Sequence, residues 1–264
     1  SRGLGDVYKR QRIHYVVIGG WLDSFLDEHK WLVRLLKKFD AIYVESDMMK
    51  SALQRRGFEN AIVMYNFKEL EPLAESDIEY PKSEPYKLCT FSRVMKEKGI
   101  EDAINAVESI NAHFGRTVYT LDIFGQVDVE YKERFSQLEK SFPDYISYGG
   151  AIEANKSVET LKSYFALLFP TYYKGEGFAG TLIDAMSAGV PVIASDWKYN
   201  PEFVVPGKTG VIIENCNAER LAEELINIAA APEKWNSMRL SALKESEKYK
   251  PDIAARPLID RING

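Results

Sequence analysis

The chain has 264 residues, of which 45% are hydrophobic, 12% aromatic and 28% charged, with a net charge of -5. That length suits one or two domains with enough apolar material for a core, and the mild acidity argues against nucleic-acid binding, which calls for a basic surface. Cys89 and Cys216 stand far apart with no CxxC pairing, which reads as two reduced thiols of a cytoplasmic protein, and no apolar run approaches the roughly 20 residues of a membrane span.

Ser1–Gln11 follows neither period 2 nor period 3.6, and Asp6–Gln11 resembles a translated adapter sequence from library preparation. Residues 1–11 are therefore set aside. The chain is expected to begin inside a domain near Arg12, as a piece of a longer protein. Tyr15 to Ile18 is a short apolar strand closed by Gly19-Gly20. Trp31, Leu32, Leu35, Leu36 and Phe39 fall on one face of a helix, with Lys30, Arg34, Lys37 and Lys38 on the other. Ala41 to Val44 is a strand. A helix capped by Ser46 or Asp47 runs to Arg56 and stops at Gly57. Ala61 to Tyr65 is a third strand, ending at Asn66. Residues 12–68 thus read as the last part of an α/β domain, with too few strands to cover both sheet faces.

Glu69 to Pro85 is rich in acid and proline and has no period, so residues 69–86 read as a linker. Residues 87–231 read as a complete α/β domain. Its strands are Leu88–Ser92, Val118–Phe124, Ile146–Tyr148, Ala166–Phe169, Val190–Ala194 and Gly210–Ile213. Its helices are marked by Ile100, Ile104, Val107 and Ile110, then by Tyr131–Lys140, Val158–Tyr164, a short helix from Ala179 or Gly180, and Ala218–Ala230. A closing helix, Pro232 to Lys248, and a tail occupy residues 232–264.

Two loops in this domain carry candidate chemistry. The first follows Pro170. It holds Gly175, Gly177 and Gly180, one carboxylate at Glu176, and a second at Asp184 eight positions later. The glycines let backbone approach a ligand closely. The helix that follows starts Gly180-Thr181 with no acid in its first turn, which favours an anion docked there. Two acids flanking an anion suit a sugar joined through a diphosphate to a ribose. The second loop, Ser92-Arg93-Val94-Met95-Lys96-Glu97-Lys98-Gly99, also leaves the carboxyl end of a strand, where ligands of parallel sheets bind. It puts Arg93 and Lys98 on the rim that carries Glu176, and both suit phosphate oxygens. Glu101 and Asp102 already satisfy the next helix dipole, so a phosphate here would be held by side chains.

These motifs resemble a known family. Ser92 to Gly99, Glu176-Gly177-Phe178 with an acid eight residues on, Ala188 to Asp196, then Glu202 and Gly207 to Gly210, look like the retaining group-1 glycosyltransferases of the glycogen-synthase type. The resemblance covers roughly Val16 to Lys248. It implies a GT-B fold: a complete C-terminal Rossmann-like parallel-sheet domain and the last part of an N-terminal one. It implies transfer of a hexose from a nucleotide-diphospho-sugar, with retention, to a saccharide or lipid-linked acceptor in surface-polysaccharide or glycoconjugate biosynthesis. By that resemblance Arg93 and Lys98 hold the donor diphosphate and Glu176 contacts sugar hydroxyls. Gly177, Phe178, Gly180, Thr181 and Leu182 meet sugar and phosphates, and Asp184 holds the ribose. The family has Glu where this chain has Asp184, one methylene shorter, which puts the ribose distance in question.

No metal and no cofactor beyond the donor are implied. There is no Asp-x-Asp, and His14, His29 and His113 lack ligand spacing. Other signals fail. Pro206-Gly207-Lys208-Thr209 lacks the upstream glycine of a P-loop and is followed by a strand, no G-x-G-x-x-G is present, and Asn155-Lys156-Ser157 is a sequon without meaning in a cytoplasmic chain. The basic helix Lys30–Lys38 offers a peripheral contact with an anionic membrane at its inner face, against the plainer reading of a solvated surface helix. The competing functions are a GT-B phosphorylase, a nucleotide-sugar epimerase, and a non-catalytic nucleotide-sugar binding fragment. The shortened chain is expected to bind donor and to be inactive alone.

Overall fold

The computed structural model describes residues 12–214 and 216–263, so the adapter reading of residues 1–11 lies outside the described residues. Two parallel sheets organise the chain. The first has three strands in the order β1-β2-β3: β1 His14–Val16, β2 Ala41–Val44 and β3 Ala61–Val63. The second has six strands in the order β6-β5-β4-β7-β8-β9: β4 Tyr86–Phe91, β5 Tyr119–Phe124, β6 Ile146–Gly150, β7 Ala166–Phe169, β8 Val192–Ser195 and β9 Gly210–Ile213.

Counted from its own first strand, the larger sheet runs 3-2-1-4-5-6, the doubly wound order. The chain leaves β4 toward one side and β7 toward the other. Their adjacent carboxyl ends form the switch point, where a crevice opens and ligands bind. β4 pairs with β7 through Leu88 against Ala166 and Cys89 against Leu167. Every residue of β7 and β8 is buried, as expected of strands covered on both faces. Ile100, Ala103, Ile104 and Val107 from the helix Ile100–Phe114 pack on one face with Leu221 and Leu225. Leu182 and Met186 from the helix Gly180–Ser187 pack on the other with Phe203.

Several boundaries differ from the sequence reading. β8 starts at Val192, just after Pro191, which has no amide to donate to a ladder. The stretch Pro232 to Lys248 is two helices, Pro232–Asn236 and Met238–Ser246, followed by a 3-10 turn. In the smaller unit the helix Leu22–Glu28 was not anticipated, and the basic helix is only Trp31–Leu36. Its supposed core face is half open: Leu36 is buried, whereas Trp31 is 68% exposed and Leu35 46%. No helix among the described residues is long and apolar enough to cross a membrane.

Two segments join the units. Residues 64–73 run from β3 along the helix Gly180–Ser187, where the Leu73 amide donates to the Ser187 carbonyl at 2.8 Å. The tail, to which the sequence reading assigned no element, is helical over Pro251–Ala254 and Arg256–Asn263. It returns to the smaller unit, where Leu258 packs near Tyr43 and Met64 and Arg261 donates to the Asp40 carbonyl at 3.1 Å.

Candidate functional site

The loops after β4 and β7 are tied together at the switch point. The Tyr172 amide donates to the Glu97 carbonyl at 2.8 Å, and the Thr171 hydroxyl reaches the same carbonyl at 3.2 Å. This brings Lys98 onto Glu176, with 2.6 Å between Nζ and Oε2. Thr171 donates to that same oxygen at 2.8 Å. The ammonium lies 5.3 Å from the ring centres of both Phe169 and Tyr173. Both charged side chains are almost fully enclosed, 11% and 7% exposed. In so dry a setting the attraction is strong but is offset by the cost of desolvating both charges, so removing one partner alone, which strands the other, is what costs most.

Arg93 does not join them. It is 58% exposed and faces Asp128 at 3.6 Å. The expected convergence of both cations on Glu176 therefore holds for Lys98 alone. Arg93 branches from the loop five residues before the 3-10 turn ends and points along the β5 side, where Asp128 lies.

The helix Gly180–Ser187 starts without a side-chain cap and without an acid in its first turn, as read from the sequence. Thr181 donates its hydroxyl to the Phe91 carbonyl, pinning the helix start to the end of β4. Leu182 is a core side chain, and its amide already donates to the Ala179 carbonyl at 3.0 Å. It is thus not a free phosphate donor, which corrects the expectation.

Asp184 is closed off in this structure. It was read as an open acceptor for ribose hydroxyls, but it is 1% exposed and both its oxygens are occupied. Lys68 Nζ lies 2.7 and 2.6 Å from Oδ1 and Oδ2, and the Ser157 hydroxyl donates to Oδ1 at 2.8 Å. Burial pushes its pKa above the ordinary aspartate value, with Lys68 pulling the other way.

The glycine loop meets the smaller unit. A Cβ on Gly177 would stand 2.4 Å from Glu45 Oε2 and 2.7 Å from Gly19 Cα, and one on Gly20 would stand 2.0 Å from the Glu176 carbonyl oxygen. Gly177 therefore serves a backbone contact between units, where a ligand had been expected. Glu45 Oε2 accepts from the amides of Gly19 and Phe178, each at 3.1 Å. The amide of Phe178, a residue the resemblance places against the donor, is thus engaged by Glu45. Its ring stacks on Phe203, centroids 3.6 Å apart, beside Tyr65 and Tyr249. Burial raises the Glu45 pKa, the Phe178 and Gly19 amides oppose it, and Glu176 adds to the rise.

Glu202, noted in the sequence, accepts from the amides of Asp47 and Met48 at 2.7 and 2.9 Å. It caps the helix Asp47–Arg55 across the cleft, beside the Ser46 hydroxyl on Met49. Beyond β4, β5 and β6 a pocket of about 310 Å³ is lined by Phe91, Ser92, Gly125, Gln126, Ala151 and Ile152. Apolar walls with backbone polar edges suit a flat heterocycle. From that pocket to Lys98 the cleft offers a slot, a carboxylate, an uncapped helix start and a cation. Among the described residues no cluster of three His, Cys, Asp or Glu could hold a metal ion. Sequence reasoning missed Lys68, Glu45, Thr171 and Ser157. Glu45 alone carried a signal, its place at the carboxyl end of β2.

Comparison with known proteins agrees with this layout. Residues 74–245 match the family described as Glycosyl transferases group 1. The chain is 30% identical over 178 residues to the UDP-N-acetylglucosamine--peptide N-acetylglucosaminyltransferase GtfA subunit of Streptococcus gordonii, a match covering 64% of this chain and 34% of that protein. It is 26% identical over 184 residues to the poly(glycerol-phosphate) alpha-glucosyltransferase of Bacillus subtilis, covering 68% of this chain and 26% of the relative. The chain thus spans only about a third or less of those relatives' length. Among solved structures, HepE of Anabaena in complex with UDP-glucose superposes with a TM-score of 0.77 at 16% identity, covering 98% of this chain and 74% of HepE.

Proposed function

The chain belongs to the group 1 glycosyl transferases and has the GT-B fold, and we propose on that basis that its cleft binds a nucleotide-diphospho-sugar whose hexose the whole protein transfers with retention. The observation that carries this reading is the Lys98–Glu176 pair at the switch point, beside an uncapped helix start. The pocket behind β4 and β5 takes the base. The diphosphate lies over the first turn of the helix Gly180–Ser187, and the hexose lies against Glu176. As the glycosidic bond breaks, negative charge grows on the β-phosphate while the sugar becomes oxocarbenium-like. Lys98 faces that charge from an enclosed position, and the exposed Arg93 closes on it from solvent. Side-chain cations aimed in this way lower the barrier without a metal ion.

The acceptor is a saccharide or lipid-linked chain of a surface glycoconjugate. The names of the two curated relatives, which specify a peptide and poly(glycerol-phosphate), support a polymeric acceptor. Arg34 on the helix Trp31–Leu36 and the flanking Lys30, Lys37 and Lys38, with Trp31 exposed, support work at the inner face of an anionic membrane. Calorimetric titration of UDP-glucose, UDP-N-acetylglucosamine and GDP-mannose into the chain tests the donor reading. At least one is expected to bind, and Lys98→Met is expected to weaken it about tenfold or more. Failure of every donor to bind would overturn the reading. Sugar release measured with and without free phosphate separates transfer from phosphorolysis.

A further inference from the structure

Lys68 belongs to the strap between the units and had no role in the sequence reading. Its ammonium spans both oxygens of Asp184, at 2.7 and 2.6 Å. Its stem lies over the start of the neighbouring helix: Cδ and Nζ are 3.6 and 3.9 Å from where a Cβ on Gly180 would stand. One side chain therefore occupies two places that the proposed donor needs, the hydroxyl-accepting carboxylate and the approach to the first-turn amides.

The two partners differ in their access to water. The Asp184 side chain is 2% exposed, and Lys68 is 29% exposed. Lys68 can leave through solvent at small cost. Asp184 cannot follow, and once uncovered it must find new donors where it sits. A vicinal diol supplies two neutral donors, one for each oxygen. A diphosphate arriving over the helix start supplies the released ammonium with a new anionic partner within its reach. The strap itself stays anchored on either side, by Asn66 Nδ2 on the Phe178 carbonyl at 2.9 Å and by the Leu73 amide on Ser187.

We propose that Lys68 is a further cation of the donor site, which guards Asp184 in the empty cleft and passes to the diphosphate when ribose hydroxyls take its place. The proposal rests on the donor reading above. Loading then exchanges partners while each Asp184 oxygen keeps a hydrogen-bond donor and the ammonium keeps an anionic partner.

The experiment measures binding of uridine, guanosine and adenosine diphosphates, and of the matching nucleosides, by ligand-observed NMR and calorimetry. It compares the wild-type chain with Lys68→Met, Lys68→Gln and Lys68→Arg, with melting temperatures recorded alongside. For the diphosphate that binds, Lys68→Met and Lys68→Gln are expected to weaken affinity about tenfold and to flatten its salt dependence. The matching nucleoside should bind these variants as well as wild type or a few-fold tighter, because Asp184 has been freed. Lys68→Arg should keep most of the diphosphate affinity. Equal losses for diphosphate and nucleoside would make Lys68 a structural strut and overturn the proposal, as would unchanged affinity for both. If no diphosphate binds the wild-type chain, the donor reading falls and takes this proposal with it, an outcome distinct from the two in which wild type binds.

Discussion

Lys98–Glu176 and Lys68–Asp184 share a cleft and a chemistry but are held in different ways. In the first pair both partners sit in the larger unit, on loops joined by backbone bonds and walled by Phe169 and Tyr173. In the second the acid is enclosed and the lysine comes from the strap, partly in water. A pair enclosed on both sides is a fixed electrostatic element. A pair enclosed on one side is an exchangeable one. On the proposals above, Lys98 faces the developing charge and Lys68 takes part in loading.

The largest effect should follow Lys98→Met, which strands a carboxylate in a dry site. Stability should fall by about 3–5 kcal/mol in denaturant titrations. Hexose transfer by the whole protein should fall about 10²–10³-fold. Adding Glu176→Gln should recover much of the stability and none of the transfer. Lys68→Met should cost less, about 1–3 kcal/mol, because Ser157 still donates to Asp184 and Lys68 is already part-hydrated. Equal losses in the two variants would erase the distinction between the pairs.

Glu45 sharpens the comparison from a third side, as a buried carboxylate with no lysine or arginine partner among the described residues. Burial raises its pKa despite the amides of Phe178 and Gly19. The folded chain therefore holds this proton at a pH where the unfolded chain has released it, and stability falls as pH rises from the ordinary glutamate range through the raised value. Glu45→Gln should melt higher than wild type at pH 8, and the gain should shrink toward pH 4. A gain that grows on acidification would reverse the assignment. The smallest structural effect belongs to Arg93→Ala. Its exposed pairing with Asp128 is worth about 0–1 kcal/mol, so melting should barely move while diphosphate affinity drops.

Much of the architecture was legible because strands and helices alternate with clean punctuation. Ala166–Phe169 ends at Pro170, and Ala218–Ala230 has the apolar spacing of a packed helix behind its Asn217 cap. The helix Leu22–Glu28 was hidden because only Leu22 and Leu26 are buried, with Phe25 exposed between them. The helix Asn200–Phe203 is too short to show a period. In the site, Lys98 and Glu176 could be found because each leaves the carboxyl end of a strand. Glu45 also follows a strand end, but its partner Phe178 lies 133 positions away; Lys68 follows no such signal, and its partner Asp184 lies 116 positions away. Gly177 shows the limit of a glycine signal. It announces close approach, but the approaching group is Gly19 and Glu45.

The strap and the returning helical tail tie the units together at two separate places. Each tie limits how far one unit can turn against the other. The Gly20 turn is thereby kept against the Glu176 carbonyl, where a Cβ would stand only 2.0 Å away and no side chain fits.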